Sequence, residues 1–281
     1  MPTHRVTDAE IARYHEDGYL IVPGLFGAEE MDLLLKIAKA DREMNREAKE
    51  LASGEKRNFE KDKLIQIRDA SGAQTKLWLS NDLEVGVYSA IVRSRRIVET
   101  METLIGDEVY HYHHKMMLKE PRVGGAWEWH QDYGYWYDNG CLFPDMASCM
   151  IAVDRATREN GCLQVIRGSH KMGRVSHGLS GSQTGADLER VNAALGRMEH
   201  VHVELNPGDA LFFHGNTLHR SDRNESDRPR WSLICCYNAR RNDPYKDSHH
   251  PRYSPLEKWD DARVLETARA QWAQLETAAA R

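Results

Sequence analysis

The sequence predicts a mainly β protein, a barrel or sandwich of short strands with helices flanking it at both ends. Three features carry this expectation. Short apolar strand patterns broken by turn residues recur from about residue 64 to 240, helix-start signals stand near both termini, and no internal repeat or low-complexity linker interrupts the chain. The 281 residues are 41% hydrophobic and 29% charged, which is enough to bury a substantial core. A single domain is expected, with a helical N-terminal part (about 7–60), a strand core (about 64–240) and a C-terminal helix (about 254–278).

Taken in order, "TDAEIARYHEDG" has Thr7 and Glu10 at capping-box spacing, Ile11 and Tyr14 on one face, and Gly18 to stop the helix. "YLIVPGLF" reads as a short strand and turn. "GAEEMDLLLKIAKADREM" is a second amphipathic helix carrying Met31, Leu34, Leu35 and Ala38. Residues 46–63 are charged and read as partly mobile. Helices follow near Asp82–Arg93 and Arg95–Ile105, then "EVYHYHHKMMLKE" alternates like a strand. "MASCMIAVD" is a buried-strand pattern, and Asn160–Gly161 reads as a hairpin turn leading into "CLQVIRGSH". A helix near Ala186–Leu195 precedes the strands "HVHVEL", "ALFFH" and "RWSLICCYN". In the tail, Ser254, Pro255 and Glu257 give an N-cap, a first-turn proline and a capping-box partner. Leu265, Ala268, Trp272 and Leu275 then form an apolar stripe that would pack on the sheet or on a second subunit, so a homodimer is conceivable.

Charge and composition exclude several classes of function. A net charge of -5 argues against a nucleic-acid or polybasic membrane role. No apolar run approaches a transmembrane span, and the opening "MPTHRVTDAE" lacks the apolar core of a signal peptide. The five cysteines are odd in number and form no CxxC pair, so a disulfide framework or zinc ribbon is not expected and a reducing cytoplasm is the default.

The stretch "WEWHQDYGYWYDNG" (127–140) carries the chemistry. Side chains two apart on a strand share a face, so His130 and Asp132 converge while Trp127 and Trp129 turn toward the core. With fourteen histidines an HxD pair arises by chance, and a third ligand must come from elsewhere. His111, His113 and His114 form one cluster, His200 and His202 read as the polar face of an edge strand, and His249 and His250 lie in a tail loop. His219 differs, because Ser221 follows it by two and Arg230 by eleven, opening a strand expected beside it. Two imidazoles, a carboxylate and a carboxylate-binding guanidinium describe non-haem Fe(II) working with a 2-oxo acid. His113, Lys115, Met117 and Lys119 share one strand face, which places His113, Lys115 and Lys119 among the candidates for the co-substrate pocket. Tyr133, Tyr135 and Trp136, in a Gly-containing segment after the metal pair, are candidates for folding over the metal and binding substrate.

"WHQD", "ATRENGCLQVIRGSHK" and "GDALFFHGNTLHRSDRNESDRPR", together with the opening "YHEDGYLIVPGL", resemble the phytanoyl-CoA dioxygenase family of 2-oxoglutarate-dependent oxygenases and its ectoine hydroxylase-like relatives, from about residue 7 to 240. The resemblance implies a double-stranded β-helix, a cupin-like jelly roll with its site between two sheets. It implies His130, Asp132 and His219 as iron ligands, Arg230 and Ser221 on the distal carboxylate of 2-oxoglutarate, and O2 as the oxidant, with succinate and CO2 released. Met150 stands where family members often carry tryptophan, which alters the pocket's shape. Asp132 stands where related halogenases have a small residue, so hydroxylation is favoured over halogenation.

The substrate is expected to be a small, polar metabolite. An acyl-CoA thioester would need a basic rim, for which Arg155, Arg158, Arg167, Lys171 and Arg174 are candidates interspersed with acids. Two other readings stay open: a metal-free jelly-roll binding module, and a cupin-like isomerase or zinc hydrolase using His111 or His113 as a further ligand.

Overall fold

Helix α1 (Asp8–Asp17) begins where Thr7 and Glu10 cap one another reciprocally and ends at Gly18, whose φ of 83° suits a residue without a Cβ. The computed structural model describes residues 4–41, 49–50, 63–69, 72–180 and 183–280. In chain order come β1 (Tyr19–Val22), α2 (Ala28–Ala40), β2 (Lys49–Glu50), β3 (Leu64–Arg68), β4 (Gln74–Ser80), α3 (Val87–Arg93), α4 (Arg95–Ile105), β5 (Val109–Lys119), β6 (Trp127–His130), α5 (Asp132–Trp136) and β7 (Met146–Ala152). There follow β8 (Leu163–Ile166), β9 (His177–Ser180), β10 (Gln183–Ala186), α6 (Leu188–Leu195), β11 (His200–Val203), β12 (Ala210–His214), β13 (His219–Ser221), β14 (Arg230–Ala239) and α7 (Ala262–Ala279). The stretch expected to be mobile, 46–63, lies outside the described residues except for 49–50 and 63.

The strands form two main sheets. The larger runs β1-β12-β7-β14-β5-β4-β3-β2 and the smaller β11-β8-β13-β6, with β9 and β10 as a separate hairpin. Pairing is antiparallel except between β2 and β3. Because side chains alternate along a strand, each strand of the large sheet feeds two cores. Met117, Met150, Leu211, Phe213, Ile234 and Cys236 face inward and meet Leu163, Val165 and Val203 of the small sheet. Their neighbours Met116, Leu118, Cys149, Ile151, Phe212, Leu233 and Cys235 face outward onto the helices, against Leu34, Ile37, Ile91, Ile97 and Met101. The functional side chains therefore sit on the inner side of the sandwich, and the helices buttress the outer one.

A buried ion pair holds that buttress together. Arg96 of α4 donates to Glu30 of α2 at 2.6 and 3.0 Å and to the Leu25 carbonyl at 2.9 Å, and its guanidinium lies 4.3 Å from the Phe26 ring centroid. Glu30 also accepts from Gly27 N at 2.7 Å, so one carboxylate starts α2 and neutralises a cation from α4.

Several expectations from the sequence are corrected. Asn160–Gly161 does not close a hairpin, because β7 belongs to the large sheet and β8 to the small one. The turn is a crossover: Asn160 ties Thr157 N (2.8 Å) and the Arg155 carbonyl (2.7 Å), and a Cβ on Gly161 would come within 2.3 Å of the Asp222 carbonyl oxygen. Arg230 does open a strand, but in the sheet facing His219, not beside it. Helix α7 starts at Ala262, since the preceding chain is held extended where Trp259 exchanges backbone hydrogen bonds with Arg93 (2.8 Å) and Arg95 (3.0 Å). Its stripe of Leu265, Ala268, Trp272 and Leu275 packs with α2 and α3, not on the sheet. Helices α3 and α6 begin at Val87 and Leu188, later than expected. Among the described residues no helix is long and apolar enough to cross a membrane.

One buried and one half-buried histidine make the fold acid-sensitive. Burial pushes His114 and His214 down to about 3 from an ordinary 6.5, so both are neutral in the folded protein. Below pH 6.5 the unfolded chain binds protons that the folded one refuses, so stability falls as pH drops from 6.5 toward 3. The slope is at most ~1.4 kcal/mol per pH unit for each residue. Thermal melts between about pH 7 and pH 5 should show this decline, and His214→Gln should flatten it.

Candidate metal centre

Strand β6 ends at His130, Gln131 stays extended (φ −114°, ψ 134°), and Asp132 opens α5. Alternation therefore survives through Gln131, and His130 and Asp132 turn the same way although only the first lies on a strand. Gln131 turns the other way and is wholly buried. Its amide donates to the Asn216 (2.7 Å) and Gly173 (2.9 Å) carbonyls and its oxygen accepts from Val175 N (2.7 Å). His219 enters from β13, directly opposite His130, with ring centroids 4.1 Å apart.

Nε2 of His130 and of His219 lie 3.9 and 3.8 Å from Asp132 Oδ1. Ligand atoms of the three residues all fall within 4.8 Å of one another, the arrangement a single metal ion needs. The tautomers fit as well. His130 Nδ1 sits 2.7 Å from the Glu128 carbonyl and His219 Nδ1 2.9 Å from that of Thr217, so each Nδ1 donates and each Nε2 presents its lone pair toward Asp132. Burial keeps both imidazoles neutral, His130 being pushed down further by His219. Burial pushes Asp132 upward, but Lys115 and the two histidines outweigh it and hold the carboxyl below its usual range. Neutral imidazoles and an ionised carboxylate are the states a metal ion requires.

Ser148 Oγ donates to Asp132 Oδ2 at 2.8 Å, which leaves Oδ1 for the metal. Sequence reasoning missed this residue; its one signal is inward parity in "MASCMIAVD". Ser148→Ala should weaken metal affinity about 10- to 100-fold, measured by Fe(II) titration, with little change in melting temperature.

The other candidates divide along β5. Lys119 lies opposite Arg230 in the β5–β14 register, and both are buried. Lys119 donates to the Asp222 carbonyl, and burial together with Arg230 pushes its pKa well below the lysine range. Among the described residues Nε and Nη1 of Arg230 are buried without any hydrogen-bond partner, and burial pushes its pKa down to about 10. Ser221 is buried on β13, and Ser232 Oγ is buried and unpartnered among the described residues. This end of the cavity is rich in donors and poor in acceptors, which fits a carboxylate-bearing co-substrate. Lys115 stands midway along the same face, its charge bearing on all three members of the triad. His113 is a correction: it lies six residues from Lys119, roughly 20 Å along an extended strand, against Trp136 and not beside Arg230.

A second correction concerns Trp127. The β6–β13 register shifts so that Ser221 faces Trp127 while His219 faces His130. This irregularity turns Trp127 onto the metal side, with its ring 6.0 Å from His130 and its indole N–H buried and unpartnered. Trp129 keeps the outward parity and packs with Ile166 and Leu218.

The three aromatics after the metal pair sit on a helical turn, so spacings of three and four matter and not two. Tyr135 and Trp136 share a face with Asp132: Tyr135 lies 5.7 Å from His130 and Trp136 packs edge-on to Tyr112 (5.5 Å) and His113 (6.0 Å). Tyr133 points elsewhere, toward Tyr137, and its hydroxyl donates to the Cys141 carbonyl at 3.0 Å. His177 lies over Gly134 so closely that a Cβ there would fall 2.2 Å from the ring, and it accepts from Gln131 N at 2.9 Å. His111 is taken by His114, nitrogen to nitrogen at 3.0 Å, and His200 by Gln164 at 2.8 Å. Among the described residues no further ligand joins the three.

Comparison with known proteins agrees with this geometry. The family model described as Phytanoyl-CoA dioxygenase (PhyH) matches residues 14–232. The chain is 28% identical to L-proline trans-4-hydroxylase of Streptomyces griseoviridis over 254 residues, covering 84% of this chain and 88% of that protein. It is 28% identical to methylphosphonate hydroxylase of Gimesia maris over 237 residues, covering 83% and 81%. Its fold is similar to that of EctD from S. alaskensis, solved with 2-oxoglutarate and 5-hydroxyectoine, at a TM-score of 0.73 and 21% identity, covering 91% and 88%. The sandwich is thus the cupin-type jelly roll that the sequence led us to expect.

Proposed function

The chain belongs to the phytanoyl-CoA dioxygenase family, and on that premise we propose that this non-haem Fe(II)- and 2-oxoglutarate-dependent dioxygenase hydroxylates an unactivated C–H bond of a small polar metabolite. The carrying observation is the pairing of a buried His130–Asp132–His219 group with a buried guanidinium that has no acceptor among the described residues. Bound at the three ligands, Fe(II) would supply the O2-dependent oxidative decarboxylation of 2-oxoglutarate to succinate and CO2, one oxygen atom going to succinate and the other to the hydroxylated substrate.

The chain's own residues prepare that chemistry. Arg230 takes the distal carboxylate of 2-oxoglutarate, with Ser221 and Lys119 at the same end of the cavity. Ser148 and the backbone carbonyls of Glu128 and Thr217 fix the three ligands before any metal arrives. Tyr135 and Trp136 give the metal side an aromatic wall.

A small substrate is favoured over an acyl-CoA because three of the five candidate rim cations already have partners. Arg167 pairs with Glu199 at 2.6 Å, Lys171 with Glu16 at 2.5 Å, and Arg174 lies 4.2 Å from the Tyr137 ring centroid. The names of the two hydroxylase relatives also refer to small polar compounds. Anaerobic addition of Fe(II) and 2-oxoglutarate should produce a weak visible charge-transfer band. Succinate release is then screened over amino acids, betaines, phosphonates and acyl-CoAs. Stimulation by acyl-CoA alone would falsify the small-metabolite reading.

A further inference from the structure

Midway along β5 stands a cation that the distal carboxylate of the co-substrate does not account for. Lys115 is half-buried on the inner face of β5, and its ammonium has no hydrogen bond or ion pair among the described residues. Lys115 and His113 stand two apart on the same face of β5, and the charge of Lys115 bears on Asp132, His130, His219 and His113 alike.

His113 is buried and equally unengaged. Its Nδ1 is enclosed without a partner, and neither ring nitrogen makes a hydrogen bond among the described residues. The ring is fixed by stacking alone: His250 lies 5.0 Å away at 30° and Trp136 6.0 Å away edge-on. An enclosed imidazole without a partner is costly unless a ligand completes it. His113 shares a rung of the large sheet with Cys236 and Ser148, and Ser148 is the hydroxyl bonded to Asp132. The unpartnered pair therefore stands beside the metal group, while Arg230 and Lys119 close the opposite end of β5.

Resting on the function proposed above, we infer that Lys115 and His113 receive the carboxylate of the substrate, so that the substrate is a small carboxylic acid and not a neutral or thioester-linked metabolite. The ammonium supplies charge and the imidazole a directed N–H, while Trp136, Tyr135 and His250 contact the rest of the molecule. One anion site serves the co-substrate, and the other, beside the metal group, orients the substrate.

The test pairs each free L-amino acid and betaine with its primary amide or ester in succinate-release assays of the Fe(II)-loaded protein. At least one free acid should accelerate release, and its amide should be at least ~10-fold poorer in kcat/KM. Lys115→Met and His113→Phe should each raise KM for that acid ~10-fold or more, with kcat changing less, and Lys115→Arg should recover part of the loss. In calorimetry on Mn(II)-loaded protein, N-oxalylglycine should bind His113→Phe within about threefold of wild type, and thermal melts verify that both variants are folded. Amides serving as well as acids, neutral or cationic compounds alone being turned over, or His113→Phe losing N-oxalylglycine instead of the acid would each overturn the inference. If the wild-type protein binds no N-oxalylglycine with metal present, the underlying dioxygenase reading fails as well, so the two failures are distinguishable.

Discussion

His219→Ala removes metal binding and succinate release together. The side chain supplies one of the three ligand atoms, faces His130 across the β6–β13 pair, and is already held in the metal-ready tautomer by the Thr217 carbonyl. Changes to groups that merely orient ligands cost roughly 10- to 100-fold in affinity or activity, so loss of a ligand itself should exceed that range. No replacement is at hand, since His111 is paired with His114 and no other described residue reaches the group. Fe(II) titration and succinate assays on the same preparation check the result. Metal binding and turnover that both survive would place the metal elsewhere and revive the reading with a histidine ligand from β5.

Arg230→Leu should separate affinity from stability. The guanidinium is buried and two of its nitrogens have no acceptor among the described residues, so the free protein carries an uncompensated charge in its interior. Replacing it with a similarly sized apolar side chain should raise the melting temperature of the protein without co-substrate. The same change leaves the distal carboxylate of 2-oxoglutarate unmatched, a loss of about 2–5 kcal/mol or ~30- to several thousand-fold in Kd. Arg230→Lys should restore little, because an ammonium cannot reproduce two parallel N–H donors. Calorimetric titration of Mn(II)-loaded protein gives the affinity and differential scanning gives the stability. A variant both less stable and unchanged in affinity would mean that Arg230 serves the fold and not the ligand.

Much of the metal group was legible in the sequence, because it depends on local periodicity. His130, Gln131 just before Asp132, and His219, Ser221 and Arg230 sit on extended chain where parity decides direction. What parity could not supply was the sheet to which each strand belongs. Asn160–Gly161 has the composition of a hairpin turn, yet the strands on either side lie in facing sheets, and Arg230 lies across from His219 for the same reason. Trp127 was misplaced by one register irregularity, which no local pattern announces. At the tail, Ser254 and Pro255 make a sound helix start in isolation. Tertiary pairing of Trp259 with the α3–α4 junction overrides it. Ser148 was invisible because nothing in an apolar strand marks the one hydroxyl that will meet a carboxylate.

The position of Asp132 between the two sheets has a mechanical consequence. Both imidazoles hang from the four-stranded sheet, whereas the carboxylate is moored to the eight-stranded one through Ser148. A cation gripped by all three would rivet the halves of the sandwich together, and a chelator would draw that rivet. Amide hydrogens of β6 and β13 should then exchange faster in stripped protein than in loaded protein, while those of β14, backed by the helices, change least.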